Sequence, residues 1–446
     1  MAVVLNLTPP APTLFSTQLS NASTFTQGLG ALNMGLIADY LFGTSASGSA
    51  PVIPIRNATD LATYFNPQPD AVGSAVQNEE VERFQSSFTA GNHVFNTADL
   101  SITAALEGGG SFTTVAKTLI GAVTSGTVLT FSDTTGISDG MMIASSGSSV
   151  INTGTSVVSH DSTTVTLGSA VTLPNGANVE FLPVYVCSGV QTGTSISTLT
   201  FSSVPAALPV GWFYNNITNG TFGIRRVVSS TSTTVTLDGT VSPSSGNLIF
   251  FSPPVTSAQI WSKAGYQPGK NGANYYAFEL TCQIPDGAAN RGAWPAFWLY
   301  SKTSDGFPFD ASEIDIFEFF CSLTASSNAY TSNIHGGLYN VTGFQLSVGS
   351  GSSKWNSGFY RGGTDYSQAF HKFQLIWTPD KVYRYIDGQL LIVNDFIWSS
   401  QDTAQWAIDL ACGSWLPAFL GIYFYPKTTA QFPFAIKVQE VKIWQG

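Results

Sequence analysis

The stretch Ser312-Glu313-Ile314-Asp315-Ile316-Phe317-Glu318-Phe319-Phe320 sets three acids within six positions, among β-branched and aromatic residues. That company favours a strand. Strand side chains alternate with period two, so Glu313 and Asp315 share a face with Phe317, while Glu318 falls opposite with Ile314 and Ile316. Carboxyls on opposite faces of a sheet cannot flank one scissile bond. A β-bulge near Ile316-Phe317 re-aims the residues after it and turns all three acids into one cleft, and bulges are over-represented beside active sites. Two carboxyl groups about 5–5.5 Å apart on one face suit a retaining glycosidase, in which one attacks the sugar and the other moves the proton. The competing reading is a solvated strand face with acids gathered by chance. Only 10% of the chain is Asp, Glu, Lys or Arg, so three acids this close, bracketed by Ile and Phe, weigh against chance.

Family resemblance enters with the same residues. Glu313-Ile-Asp315-Ile-Phe-Glu318 resembles the ExDxxE signature of glycoside hydrolase family 16 in its bulged form, which is that of laminarinases, agarases and carrageenases; lichenases have a motif one residue shorter. Just upstream, Gly292-Ala-Trp294-Pro-Ala-Phe-Trp298-Leu is similar to the family's GxWPAFW segment. Asn274-Tyr-Tyr-Ala-Phe278-Glu279 and Phe370-His371 through Asp387-Gly388 resemble two further family strands. Ala98-Asp99 stands where the family has Asp-Gly, and Ala277 where it has Gly. The resemblance covers about residues 77–108 and 256–446.

It implies an all-β fold, a concanavalin-like β-jelly-roll sandwich with a carbohydrate cleft on its concave face. It also implies roles. Glu313 becomes the nucleophile, Glu318 the acid and then the base, and Asp315 the group that orients Glu313 and tunes the pair. The carboxylates of Glu313 and Asp315 would raise the pKa of Glu318 by like-charge repulsion. Trp294 and Trp298, four apart on a strand, share a face and are candidate sugar platforms, with core packing an equal reading for Trp298. His335 is a candidate sugar contact near the nucleophile or a satisfied core histidine. His371 and Trp377 are assigned to structure, Trp415 and Tyr425 to the cleft walls, and Glu79, Glu80 and Glu82 to the surface. No metal-ligand cluster is legible, no cofactor is expected, and the structural calcium of relatives leaves no signature here.

The elements that must hold these groups are strands. The chain has 446 residues, enough for a large core, and is 43% hydrophobic and 13% aromatic. A net charge of −10 and a sequence pI near 4.7 argue against a nucleic-acid partner and leave a neutral polysaccharide as the expected one. No apolar run reaches the ~18 residues of a membrane span. The start shows neither a basic region nor a long apolar one, so no secretory signal is visible. Cys187, Cys282, Cys321 and Cys412 are too spread for a disulfide framework. Buried free thiols are expected, with a Cys282–Cys321 or Cys321–Cys412 bridge left open.

Residues 1–70 read as an N-terminal arm that packs on the core, mediates assembly into a homo-oligomer or larger particle, or serves as a tether, with a short helix expected over Gly30–Leu41. Residues 71–108 and 256–446 make the jelly roll. The intervening 109–255 form a Ser/Thr/Gly-rich insert with an internal repeat. Val157-Val-Ser-His-Asp-Ser-Thr-Thr-Val-Thr-Leu167 returns as Val227-Val-Ser-Ser-Thr-Ser-Thr-Thr-Val-Thr-Leu237, and Leu129-Thr-Phe131 returns at the same offset as Leu199-Thr-Phe201. This implies two β-modules, about 120–183 and 190–253. They bind sugar, dock to an assembly or act as a spacer, and they resemble modules of phage virion proteins. Two functions stay open at this point: an endo-acting retaining hydrolase of a β-linked glucan or galactan, extracellular or virion-borne, and a non-catalytic carbohydrate-binding or structural virion protein. Transglycosylation would use the same acids.

Overall fold

The computed structural model describes residues 19, 22–67, 82–85, 87–107, 114–145, 151, 154–204, 208–216, 218, 225–270, 272–287, 290, 293–301, 313–319, 329–330, 332, 334–335, 360–361, 364–396, 398, 402–412 and 432–446. Strands dominate, and most of them lie in two large sheets that share one core. The smaller sheet carries the acids. Its strands are β1 (Phe65–Asn66), β2 (Gln259–Ser262), β3 (Ala293–Ser301), β4 (Glu313–Glu318), β5 (Ile334–His335) and β6 (Ala404–Cys412), ordered β5-β4-β3-β6-β2-β1 and antiparallel throughout. The larger sheet runs from Gln389–Asp395 through Lys381–Ile386, His371–Trp377, Tyr276–Gln283, Phe434–Gln445 and Leu100–Leu106 to Val255–Ser257 and Glu82–Phe84.

Alternation explains the sandwich. One face of β3, β4 and β6 presents Phe297, Leu299, Ile314, Phe317, Trp406, Ile408 and Leu410, and these pack with Phe278, Leu280, Phe373, Leu375 and Val441 from the larger sheet. Each such side chain contributes about 1.5–3 kcal/mol by leaving water. The opposite face of the smaller sheet is thereby left for polar and aromatic groups. The fold is an all-β sandwich.

The helix expected over Gly30–Leu41 is not there. Helix α1 spans Phe25–Ala31, with a capping box in which Thr24 accepts from the Gln27 backbone and Gln27 from that of Thr24. Gly30 weakens it, Asn33 turns left-handed at φ 47°, and Gly35–Phe42 continues as a strand. Pairing of that strand along Phe434–Gln445 buries Ala38, Tyr40 and Phe42, and this tertiary gain overrides the local helical spacing. The stretch read as an arm thus joins both sheets, Gly35–Phe42 the larger and β1 the smaller. Phe25 of α1 packs edge-on to Tyr385 and Trp444 on the outer face of the larger sheet.

Two hairpins agree closely with the sequence reading. His93–Phe95 pairs with Leu100–Leu106 across a turn in which the Asn96 amide donates to the Asp99 carbonyl at 2.9 Å. Asp387 and Gly388 take φ 46° and 81° between Lys381–Ile386 and Gln389–Asp395, as a two-residue hairpin loop requires. Cys187 and Cys282 are buried free thiols whose pKa burial pushes up, so Cys282 makes no bridge. Cys321 and the Cys412 side chain lie outside the described residues.

The repeat is structural as well as sequential. Val123–Thr130, Thr164–Leu173 and Val157–His160 form a three-stranded sheet, and Ile196–Thr200, Thr234–Val241 and Val227–Ser230 form its counterpart. Leu129, Phe131, Val157, Val165, Leu167 and Phe181 fill one small core, and their equivalents Leu199, Phe201, Val227, Val235, Leu237 and Phe251 fill the other. Asn178–Cys187 is shared: residues 178–181 pair with Val115–Thr118, and Tyr185–Cys187 with Ile249–Ser252. The same strand also joins the main core, through Leu182, Val184 and Val186. Arg226 and Glu107 add an ion pair at 2.6 Å between the second repeat and the residue directly after Leu100–Leu106.

Candidate active site

The register of β3 against β4 shows how the acids come together. Tyr300 stands opposite Glu313, Leu299 opposite Ile314 and Trp298 opposite Asp315, but Phe297 stands opposite Phe317 and Ala296 opposite Glu318. Ile316 is the extra residue of a β-bulge. Directly opposed residues share a face, so Glu313, Asp315 and Glu318 lie with Tyr300, Trp298 and Ala296, while Ile314 and Phe317 enter the core. The Ser332 hydroxyl lies 2.9 Å from the carbonyl oxygen of Asp315 and 3.0 Å from that of Ile316, and so serves the bulge directly. Asp315 is 2% exposed, whereas Glu313 and Glu318 are half-buried. Solvent therefore reaches the two glutamates ahead of Asp315.

The neighbouring strands complete the face. On β6, Asp409 stands opposite Ala296 and Ala407 opposite Trp298; on β2, Gln259 stands opposite Asp409 and Trp261 opposite Ala407. The Trp294 indole donates to Glu318 Oε1 at 3.2 Å. The Trp298 indole and the Gln259 amide both donate to Asp409 Oδ2 at 2.9 Å. The Trp298 ring also meets Trp261 at 4.9 Å and Tyr300 at 5.5 Å between centroids.

Charge depends on burial here. Desolvation pushes Asp409 up to about 7; the Gln259 and Trp298 donors oppose this, and the charge of Asp315 adds to it. Burial raises the Tyr300 phenol, with the Glu313 carboxylate as the second cause.

Of the residues singled out in the sequence, Trp294, Trp298, Glu313, Asp315 and Glu318 meet on one face. The His335 backbone stands opposite Glu313 on β5, and its side chain lies outside the described residues, as do Trp415 and Tyr425. His371 bonds Asp387 at 2.8 Å and Trp377 is fully buried in the core, both structural. Asp409, Gln259 and Trp261 escaped the sequence reading. Their signal was faint: one polar or aromatic residue at alternate positions of two otherwise apolar strands. Among the described residues no group of three His, Cys, Asp or Glu is arranged to hold a metal ion.

Residues 230–407 match the model of glycosyl hydrolases family 16. The chain is similar to that family over this stretch. The match includes β2, β3, β4 and β5, and stops two residues short of Asp409. An endo-1,3-1,4-beta-glycanase of Rhizobium meliloti is 29% identical over 139 residues, 31% of this chain and 25% of that protein. A glucan endo-1,3-beta-glucosidase of Cryptopygus antarcticus is 29% identical over 137 residues, 30% of this chain and 42% of that one. The chain thus spans a quarter to two fifths of the length of these relatives. An endo-beta-1,3-glucanase structure from Pyrococcus furiosus is similar at 20% identity and TM-score 0.33, covering 56% of this chain and 74% of that one.

Proposed function

We propose that this family 16-like domain is an endo-acting retaining hydrolase of a β-linked polysaccharide, with β-1,3-glucan as the first substrate to try. The observation that carries the reading is the Ile316 bulge, which turns Glu313, Asp315 and Glu318 onto one face. Glu313 attacks the anomeric carbon while Glu318 protonates the departing glycosidic oxygen, leaving a glycosyl ester on Glu313. Glu318 then takes a proton from water, which displaces the sugar from Glu313. The Trp294 indole fixes one oxygen of the Glu318 carboxyl and so limits where its proton can point. Asp315, buried between them in sequence and on the same face, orients Glu313. The named glucan activities of the two relatives support the substrate class. The galactan polymers stay in the panel because the bulged motif itself does not select among sugars.

The test is reducing-end release and product sizing on laminarin, mixed-linkage glucan, agarose and carrageenan, with Glu313→Gln alongside. Oligosaccharides from one polymer that vanish in the variant are the expected result. Wild-type cleavage in the variant overturns the assignment, and binding without cleavage across the panel favours a carbohydrate-binding protein. The paired repeats support mounting of this hydrolase on a larger assembly, outside the cell or on a virion; a particle-sized species by light scattering is the expected sign.

A further inference from the structure

Asp409 takes no part in the three-carboxylate chemistry, yet it is a buried acid on the same face. It stands in one row with Ala296 and Glu318, and Ala296 between them offers only a methyl group. The next row holds Asp315, Trp298 and Ala407. Trp298 therefore lies diagonal to Asp409, and its indole N–H reaches across to the Oδ2 atom that also receives the Gln259 amide. With Trp261 and Tyr300 against the ring, these contacts hold the indole from several sides.

We propose that Asp409 is a positioning residue which anchors Trp298 beside Asp315, and whose ionisation moves the alkaline limit of cleavage upward. This rests on the catalytic reading of Glu313, Asp315 and Glu318. The groups facing Asp409 leave it little alternative. From β2 come Gln259 and Trp261, which do not titrate; from β3 come Trp294, Trp298 and Tyr300; from β4 come Glu313, Asp315 and Glu318. Among the described residues, no cation is one of the groups that act on it. Burial holds the proton on Asp409 up to about pH 7. Above that, a second buried negative charge appears beside Asp315; both donors still meet Oδ2, and like-charge repulsion holds the proton on the neighbouring acids to higher pH.

The experiment compares pH profiles of kcat/KM for the full-length wild type, Asp409→Asn and Asp409→Ala on the polymer that the panel identifies. Asparagine keeps an acceptor oxygen for Trp298 and Gln259 but cannot ionise, so its alkaline limb should move down by about one pH unit. Alanine loses the anchor, so its kcat/KM should fall at every pH, with asparagine restoring most of the loss at acidic pH. A second readout needs no substrate: the tryptophan emission of wild type, less that of Trp298→Phe, should titrate near pH 7 and stay flat in Asp409→Asn. An unshifted alkaline limb in Asp409→Asn, or emission that titrates as in the wild type, overturns the proposal. Retained cleavage by Glu313→Gln would instead strike at the catalytic reading, so the two failures are told apart.

Discussion

The tandem repeats and the acid-bearing strands both alternate two kinds of side chain, yet they use the second face differently. In Thr164–Leu173 and Thr234–Val241 the inward positions are Val and Leu, and the outward ones are Thr, Ser, Gly, Ala or Asp. Their polar groups close short turns: Asp161 accepts from the Thr163 and Thr164 amides, and in the second repeat Thr231 does the same for Thr233 and Thr234. In β3 and β4 the second face carries Trp294, Trp298, Asp315 and the half-buried glutamates, and there the period is broken at Ile316. Burying carboxyls is costly unless donors meet them. Indoles and an amide supply that need on the acid face. A regular alternating strand builds structure, and the irregular one gathers three acids on one face.

The largest effect that could break this contrast is on cleavage. Glu313→Gln or Glu318→Gln should reduce kcat/KM by about 10²–10⁴-fold or more with unfolding unchanged, read by reducing-end assay and calorimetry. Deleting Ile316 should abolish cleavage as well, because Glu318 would return to the core face; a deletion variant that still cuts would remove the bulge from the argument. Leu129→Ala and Leu199→Ala, equivalent positions in the two repeats, should each cost about 2–5 kcal/mol of local stability and leave cleavage intact. Hydrogen exchange confined to the affected repeat is the check. Trp294→Phe keeps the ring but drops the N–H to Glu318, and should lower kcat by roughly tenfold, the value of one hydrogen bond to a charged group.

The smallest effect is on stability against pH. Burial holds His93 down to about 4, so its contribution grows as pH rises from about 4 to 6.5. Asp409 and Asp39 are raised to about 7 and about 6, so their native forms bind more protons than the unfolded chain above 3.8, and stability falls as pH climbs through those values. Two falling contributions outweigh one rising one, so thermal stability should decline from about pH 4 towards about pH 7, and Asp409→Asn should lose its share of that decline.

Much of the site was legible because its rules are local. Three acids on a β-branched strand, read with period two, demanded an extra residue, and Ile316 supplies it. Trp294 and Trp298 fell on one face by the same count, and the internal repeat became two matched cores. Gly35–Phe42 and Asp409 were not legible. A strand that pairs with Phe434–Gln445, at the other end of the sequence, gains its stability from that partner and not from its own spacing. Asp409 acquires a raised pKa only when β2, β3 and β6 bury it near Asp315. Periodicity along one strand decides which way each side chain points. Which strand lies beside it, and so what each buried charge meets, is decided by contacts distant in sequence.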